Sequence, residues 1–243
     1  MEINVQDTVG NIAARVPQAA AVFEALRLDY CCNGARRLRD ACDDAGLRPE
    51  DVVARIVDAQ RAPTKALVDW SSAGASALIR HLVNTHHVYT RESFERLAAL
   101  MAKVLARHGD AHPDLAQIAS ALGALRDELI PHLSREEAVL FPYIREVEAR
   151  RAASRPLGPV PFGSVRHPIQ AMNREHEGAG RILAELEART SGYTPPAEAC
   201  ASWRALYEGM RALQLDLHMH IHLESNVLFP MALRLELGGA DQV

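Results

Sequence analysis

The stretch His132-Leu-Ser-Arg-Glu136-Glu-Ala-Val-Leu-Phe-Pro142 occurs a second time, 88 residues later, as His220-Ile-His-Leu-Glu224-Ser-Asn-Val-Leu-Phe-Pro230. Both copies read H-x3-E-x3-L-F-P. The same offset aligns two leucines ahead of each copy, so each histidine and glutamate continue an apolar stripe with helical spacing. Residues four apart project from one face of a helix. Because the leucines share that face, the pattern predicts that both His-Glu pairs are buried.

A repeated, buried His-Glu pair has two explanations. The first is an old duplication that left two core histidines hydrogen-bonded within the protein. The second is a metal site, because buried imidazole and carboxylate groups need polar partners and a metal ion is the simplest partner that both share. Since each pair lies at the centre of a leucine stripe and precedes the same Leu-Phe-Pro, we favour the metal.

Composition limits the fold class, the partners and the location of the protein. The 243 residues are 48% hydrophobic but only 5% aromatic, which suits helices packed through leucine and alanine. A net charge of -4 predicts no general affinity for nucleic acid. No signal-peptide pattern and no apolar run of membrane-spanning length occur, so no membrane partner is expected. The four cysteines, two of them adjacent, do not suggest a disulfide framework, and a cytoplasmic location is expected.

Residues 1–62 are predicted to form a small N-terminal helical domain. Its short helices are expected at residues 8–15, 17–26, 35–46 and 49–60, with Gly46 as a C-terminal cap. Between the second and third helices lies Leu28-Asp-Tyr-Cys31-Cys32-Asn-Gly34, where Asn-Gly indicates a turn. A turn beside a helix start would favour the thiolate form of both cysteines. An equally favoured interpretation is that both cysteines are small buried residues that pack a tight corner of the chain.

Residues 69–237 are predicted to form a four-helix bundle, preceded by a linker at 61–69. Short loops join the first long helix to the second and the third to the fourth, and one long Pro- and Gly-rich connection joins the two pairs. Pro142 and Pro230 are expected to kink their helices beyond the glutamates. The long helices are predicted at about 72–108, 113–154 and 168–190, and from Pro195 or Pro196 to 237.

The other two long helices each carry a histidine on an apolar stripe. His87 precedes His132 by 45 residues and His176 precedes His220 by 44, so the two halves of the chain match. Imidazoles and bridging carboxylates suit a dinuclear iron site, whereas one zinc ion with four ligands would leave two side chains unexplained. The predicted metal ligands are His87, His132, Glu136, His176, His220 and Glu224.

The remaining histidines and neighbouring acids are expected to have other roles. His81, His86, His218 and His222 should point away from the predicted ligands, and His108, His112 and His167 should be solvated or capping at helix ends. Glu137 and Glu177 are expected on the solvated surface. Glu175, beside His176, is a candidate for a residue that orients a ligand.

These motifs together resemble the repair-of-iron-centres family, the YtfE/ScdA type. Asp29-Tyr-Cys-Cys-Asn-Gly34 is similar to the family's D-F-C-C-G-G, with Tyr30 in place of Phe and Asn33 in place of Gly. Thr85-His-His87, His132-x3-Glu136, Glu175-His176 and His220-x3-Glu224 match the family's metal positions. The likeness extends from about residue 5 to residue 237.

The resemblance implies an all-α fold, with a small ScdA-N-like domain ahead of a haemerythrin-like four-helix bundle. It implies two Fe ions in an oxo- and carboxylate-bridged non-haem di-iron centre, with the four histidines as terminal ligands and Glu136 and Glu224 as bridges. Cys31 and Cys32 would then form a thiol arm that takes part in electron or iron transfer.

The implied function is the repair of iron–sulfur clusters damaged by nitric oxide or oxidative stress in the bacterial cytoplasm. Repair would proceed by iron donation, by nitric oxide reduction or by both, and the expected partners are nitric oxide or O2 and damaged iron–sulfur proteins. Oligomer formation is left open. The alternatives are a haemerythrin-like protein that binds or senses O2 or nitric oxide without turnover, and a structural bundle that holds zinc.

Overall fold

The structure, a computed structural model, describes residues 3–61, 68, 70, 72–158 and 162–238. Within these ranges the regular structure is helical, with one isolated bridge between Thr8 and Arg37. The predicted all-α class is therefore confirmed. The predicted linker at 61–69 lies for the most part outside the described residues. No described helix combines the length and apolarity needed to cross a membrane.

The chain divides into two compact units. The first comprises Met1–Arg80, Ile144–Val165 and His218–Val243, and the second comprises His81–Tyr143 and Arg166–Leu217. These boundaries cut across long helices. The predicted domain limits, 1–62 and 69–237, stay a prediction.

The first unit begins with four short helices: α1 (Val9–Arg15), α2 (Gln18–Leu26), α3 (Leu38–Asp44) and α4 (Pro49–Arg61). The Thr8 hydroxyl caps α1 by accepting the N–H of Asn11, and Gly46 follows α3 with a φ of +67°, as the predicted cap requires. Their apolar faces form one core, which includes Val9, Ile12, Phe23, Leu38 and Ile56.

The second unit holds four long helices: α6 (Val88–His108), α7 (Asp114–Arg135), α9 (Arg166–Arg189) and most of α10 (Ala201–Leu223). Leucines at helical spacing, Leu125 and Leu129 on α7 and Leu213 and Leu217 on α10, lie in one core with Trp203. The leucine stripes that flank the repeated motif thus face inward, and the predicted helical bundle is confirmed.

In the part of the chain that the structure describes, three π-helical turns interrupt the long helices. They span Leu82–His87 between α5 (Ala75–His81) and α6, Glu136–Leu140 between α7 and α8 (Phe141–Ala152), and Glu224–Leu228 between α10 and α11 (Phe229–Leu237). The expected kink beyond each glutamate is instead a widened turn that begins at the glutamate itself. Proline lacks an N–H and crowds the carbonyl four residues earlier, so a wider turn ahead of Pro142 and Pro230 relieves both problems. Such turns are frequent at functional sites.

The fourth long helix begins at Ala201, later than the predicted Pro195 or Pro196. Ser191, Gly192 and Tyr193 all have left-handed backbone conformations, with φ between 51° and 69°. The Thr190 hydroxyl accepts the Tyr193 N–H, and the Tyr193 hydroxyl donates to Gln214 at 2.6 Å. These bonds hold the connection in a non-helical turn through the two prolines.

Candidate metal centre

Glu136 lies between two histidines of the second unit, and each of its carboxylate oxygens faces a different imidazole. Oε2 is 3.5 Å from Nε2 of His87, and Oε1 is 3.5 Å from Nε2 of His132. All three side chains are buried, with at most 1% of their surface exposed. A separation of 3.5 Å is long for a hydrogen bond. It matches two donor atoms that each lie about 2.1 Å from one ion and subtend roughly 110° at it.

His176 on α9 joins the His132 side of this cluster. Its Nε2 is 3.2 Å from Nε2 of His132, and the potential ligand atoms of His132, Glu136 and His176 all lie within 4.8 Å of one another. Two imidazole nitrogens at this distance fit neighbouring positions around an ion about 2.1 Å from each. Since Nε2 of His87 faces the other oxygen of Glu136, the Glu136 carboxylate has an imidazole nitrogen on either side.

The sequence suggested that Glu137 lies on the solvated surface. In the structure Glu137 instead holds His87 in place. Its Oε1 accepts from Nδ1 of His87 at 2.7 Å and from Arg91 at 2.9 Å. Partial burial works to raise the pKa of Glu137, but the hydrogen bonds from Arg91 and His87 outweigh it and lower the pKa. The carboxylate therefore stays charged and fixes the proton of His87 on Nδ1, which leaves the lone pair on Nε2, facing Glu136.

Glu175 does the same for His132. Its Oε2 accepts from Nδ1 of His132 at 2.6 Å and from Arg135 at 2.7 Å. Burial again works to raise the pKa of the carboxyl group, and the bonds from His132 and Arg135 lower it. A Glu–Arg pair thus lies at the Nδ1 side of each of these two predicted ligands. Carboxylates in this position orient histidine ligands and raise their basicity in metal sites.

His220 and Glu224 form the corresponding pair of the first unit. Nε2 of His220 is 3.0 Å from Oε1 of Glu224, and both side chains are buried. Glu224 opens a π-helical turn, as Glu136 does in the second unit. All six predicted ligands belong to buried histidine and glutamate groups that can hold a metal ion.

Several other histidines have structural partners. Nδ1 of His86 is 3.0 Å from Asp216. His108 and His112 pack their rings against the buried Trp203, with centroids 5.0 and 4.9 Å away, so packing rather than solvation describes them.

Two histidines of α10 contact N-terminal residues of the same unit. Nδ1 of His218 lies 2.8 Å from Oε1 of Glu24, and the His222 ring is 5.2 Å from that of Tyr30. Burial lowers the pKa of His222 to about 4, so this imidazole is neutral at pH 7. Spacing on the helix predicted that both histidines point away from the ligands, but it did not reveal these partners.

The cysteine turn is organised by a carboxylate rather than by a helix start. Oδ1 of Asp29 accepts the N–H groups of Cys31, Cys32 and Asn33 at 3.1, 2.9 and 3.2 Å. The nearest following helix, α3, begins only at Leu38. The hydrogen bond to Cys32, together with burial, raises the pKa of the Cys31 thiol. Of the two interpretations that the sequence left open, a thiolate and a small buried residue at a tight corner, the raised pKa and the burial of Cys31 favour the second.

Asn226, in the π-helical turn Glu224–Leu228, hydrogen-bonds to the cysteine turn and was not singled out by the sequence analysis. Its Nδ2 lies 3.2 Å from the Tyr30 carbonyl, 3.4 Å from that of Cys31 and 3.2 Å from Nδ1 of His222. Gly10 and Gly34 make room for it, because a Cβ on either would lie within 2.5 Å of Oδ1 of Asn226. The Asn at this position of the second motif copy, where the first copy has Ala138, was the available signal.

Models of known protein families match both parts of the chain. Residues 78–232 match the model of the hemerythrin HHE cation binding domain, and residues 5–60 match ScdA_N, a domain of unknown function. A relative from Musicola paradisiaca, named iron–sulfur cluster repair protein YtfE, is 35% identical over 234 residues, which are 95% of this chain and 98% of the relative. The chain belongs to the repair-of-iron-centres family.

Other members of the family align just as completely. The Escherichia coli O157:H7 protein of the same name is 34% identical over 93% of this chain and 96% of its own length. A Haemophilus influenzae relative, named probable iron–sulfur cluster repair protein, is 34% identical over 94% of this chain and 97% of its own length. The hemerythrin-type domain of this family implies iron binding, and its matched range contains all six predicted ligands.

Proposed function

We propose that this protein uses a dinuclear non-haem iron centre to repair iron–sulfur clusters damaged by nitric oxide or oxidative stress. The observation that carries the proposal is the Glu136 carboxylate, whose two oxygens each lie 3.5 Å from a different imidazole Nε2. A carboxylate in this position suits two ions rather than one. The names of the family's curated members supply the cellular role.

The proposed ligands fall into two sets around Glu136. His132 and His176 would hold one ion through their neighbouring Nε2 atoms, and His87 would hold the other. By the internal repeat, His220 and Glu224 add a second histidine and a second bridging carboxylate. The donor set of imidazoles and carboxylates fits iron, which accepts both. When bound, the two iron ions would supply electrons and Lewis acidity for the reduction of nitric oxide.

The protein's own groups prepare the site for binding. Glu137 and Glu175 hold the protons of His87 and His132 on Nδ1, so each Nε2 presents its lone pair without a prior proton transfer. The ligands are buried by leucine-rich helices, which excludes bulk water. With only four histidines and two carboxylates for two ions, open coordination positions would remain for a small ligand such as nitric oxide or O2.

We further propose the cytoplasm as the location, because a reducing compartment keeps Cys31 and Cys32 in the thiol form that a thiol arm requires. Damaged iron–sulfur proteins are the proposed clients, by analogy with the printed names of the relatives. Cys31 and Cys32 are proposed to take part in electron or iron transfer to these clients.

The test is repair of a defined client. A [4Fe–4S] dehydratase is inactivated with nitric oxide and incubated anaerobically with the iron-loaded protein and a reductant. The wild-type chain and Glu177→Gln should restore dehydratase activity, and Glu136→Gln should not. Recovery with Glu136→Gln equal to that with the wild type would refute the proposal. Nitrous oxide measured over many turnovers separates reduction from reversible binding, because a carrier or sensor would produce none.

A further inference from the structure

The turn between α2 and α3 brings two thiols and a carboxylate together. The potential ligand atoms of Asp29, Cys31 and Cys32 all lie within 4.8 Å of one another. We propose that this turn binds one divalent metal ion of the borderline class, such as Zn²⁺ or Fe²⁺, through both sulfurs and the carboxylate. The site has its own donor set and goes beyond the proposed dinuclear centre.

The spacing of the donors fits a tetrahedral ion. The two Sγ atoms are 3.8 Å apart. Two thiolates that each lie about 2.3 Å from one tetrahedral ion are separated by about 3.8 Å. Sγ of Cys31 is 3.4 Å from Oδ1 of Asp29, close to the roughly 3.6 Å expected for a sulfur and an oxygen on the same ion. Little movement is therefore needed to bind it.

The backbone holds the two cysteines in this arrangement before any ion binds. Oδ1 of Asp29 accepts three successive N–H groups, and its Oδ2 accepts from Nδ2 of Asn33 at 2.7 Å. From the other side, Asn226 donates to the carbonyls of Tyr30 and Cys31. Because these bonds fix the turn, binding costs little conformational entropy beyond the two cysteine side chains.

Charge also favours a cation here. The Cys31 thiol lies against the Asp29 carboxylate, where a proton now separates two potential anions. A divalent ion would replace the protons of both thiols, so that binding of one ion releases two protons and leaves the net charge of the site at -1. Asp29 is exposed and Cys32 half-buried, which gives an ion a route from solvent. Three protein ligands leave the fourth position for water or an incoming thiolate.

The test is an anaerobic titration of the reduced, full-length protein with Co²⁺. Thiolate ligation to Co²⁺ gives a sulfur-to-metal charge-transfer band in the near ultraviolet, which histidine and glutamate ligands do not produce. The band should appear in the wild-type chain and in the control Cys200→Ser, and be absent from Cys31→Ser/Cys32→Ser. Zn²⁺ should abolish it by competition.

Asp29→Asn separates metal binding from folding of the turn. Its amide oxygen still accepts the three N–H groups, but the negative charge is lost, so Co²⁺ should bind at least about tenfold more weakly. Circular dichroism checks the fold of each variant, and Cys32→Ser alone serves if the double variant is unfolded. No sulfur band in the reduced wild type, or a band that survives in Cys31→Ser/Cys32→Ser, would overturn the proposal. Because the readout is specific to sulfur, its failure is distinct from failure of the dinuclear iron centre.

Discussion

Two carboxylates accept hydrogen bonds from Nδ1 of His87 and His132. Replacing them should weaken iron binding without removing any proposed ligand. The variants are Glu137→Gln and Glu175→Gln. Each glutamine keeps an oxygen that accepts from the histidine Nδ1, but it removes the negative charge that pairs with Arg91 or Arg135. The imidazole then becomes a poorer donor to the metal, and its orientation is less firmly fixed.

The magnitude follows from the contacts and their exposure. Partners of this kind contribute about 10- to 100-fold to metal affinity. The bonds are short, at 2.7 and 2.6 Å, but the Glu137 and Glu175 side chains are 32% and 38% exposed, so water screens part of the charge. We expect the lower end, about tenfold or 1.4 kcal/mol, for each glutamine variant. Glu137→Ala and Glu175→Ala, which delete the acceptor, should approach about a hundredfold.

The assay is anaerobic competition for Fe²⁺ between each variant and a chromophoric chelator. Glu177→Gln is the matched control, because Glu177 adjoins His176 in sequence but is exposed. Its affinity should equal that of the wild type. If Glu137→Gln and Glu175→Gln also bind iron as tightly as Glu177→Gln, the carboxylates do not tune the ligands and this reasoning is wrong.

Three further outcomes are expected. Glu136→Ala and Glu224→Ala should each lower both the iron content and the melting temperature of the iron-loaded chain, because metal binding is coupled to folding. An iron content equal to that of the wild type in elemental analysis would contradict the bridging role. Gly34→Ala should lower the free energy of unfolding in urea by about 1–3 kcal/mol, since its Cβ would lie 2.5 Å from Oδ1 of Asn226 and 2.8 Å from the Tyr30 carbonyl oxygen. Gly123→Ala, whose Cβ meets nothing within 4 Å in helix α7, should instead raise it by up to about 1 kcal/mol, and equal effects would refute the contrast. Asn226→Ala should speed alkylation of Cys31 by about tenfold in a Cys200→Ser background, because it removes two hydrogen bonds that hold the turn. An unchanged alkylation rate in a folded variant would show that Asn226 does not hold the turn.

The class of fold was accessible from sequence because the leucine stripes have an unambiguous helical period. Leu125, Leu129, Leu213 and Leu217 all lie in the core of the second unit, where their spacing placed them. Histidine and glutamate residues at a fixed phase of such stripes must also be buried, and His132, Glu136, His220 and Glu224 are. Periodicity alone therefore identified these four buried polar residues.

Contacts between distant segments could not be read in the same way. Glu137 follows Glu136 and lies on a different face of its helix, so only the position of the π-helical turn Leu82–His87 shows that it bonds His87, 50 residues earlier in the chain. The partner of Asn226 is a backbone carbonyl almost 200 residues away, which leaves no sequence pattern. The sequence left the state of Cys31 open, because it does not show that the Asp29 carboxylate, rather than a helix dipole, organises the turn.

Local backbone geometry was only partly predictable. Proline at 142 and 230 indicated a disturbance of both helices, but not that the change would be a π-helical turn opening at the glutamate. Likewise, Pro195 and Pro196 suggested a helix start, whereas left-handed residues stabilised by Thr190 delay it to Ala201. In both cases the outcome depends on hydrogen bonds that compete with the helix.

The central claim is that the repeated histidines and glutamates bind two iron ions. The most direct test is the metal content of the purified chain after anaerobic iron reconstitution, measured together with its visible absorption spectrum. We predict about two Fe per chain, the stoichiometry that a carboxylate facing two imidazole nitrogens supports. One tightly bound Zn²⁺, or no retained metal, would mean that these side chains are structural, and the proposal of a dinuclear iron centre would be refuted.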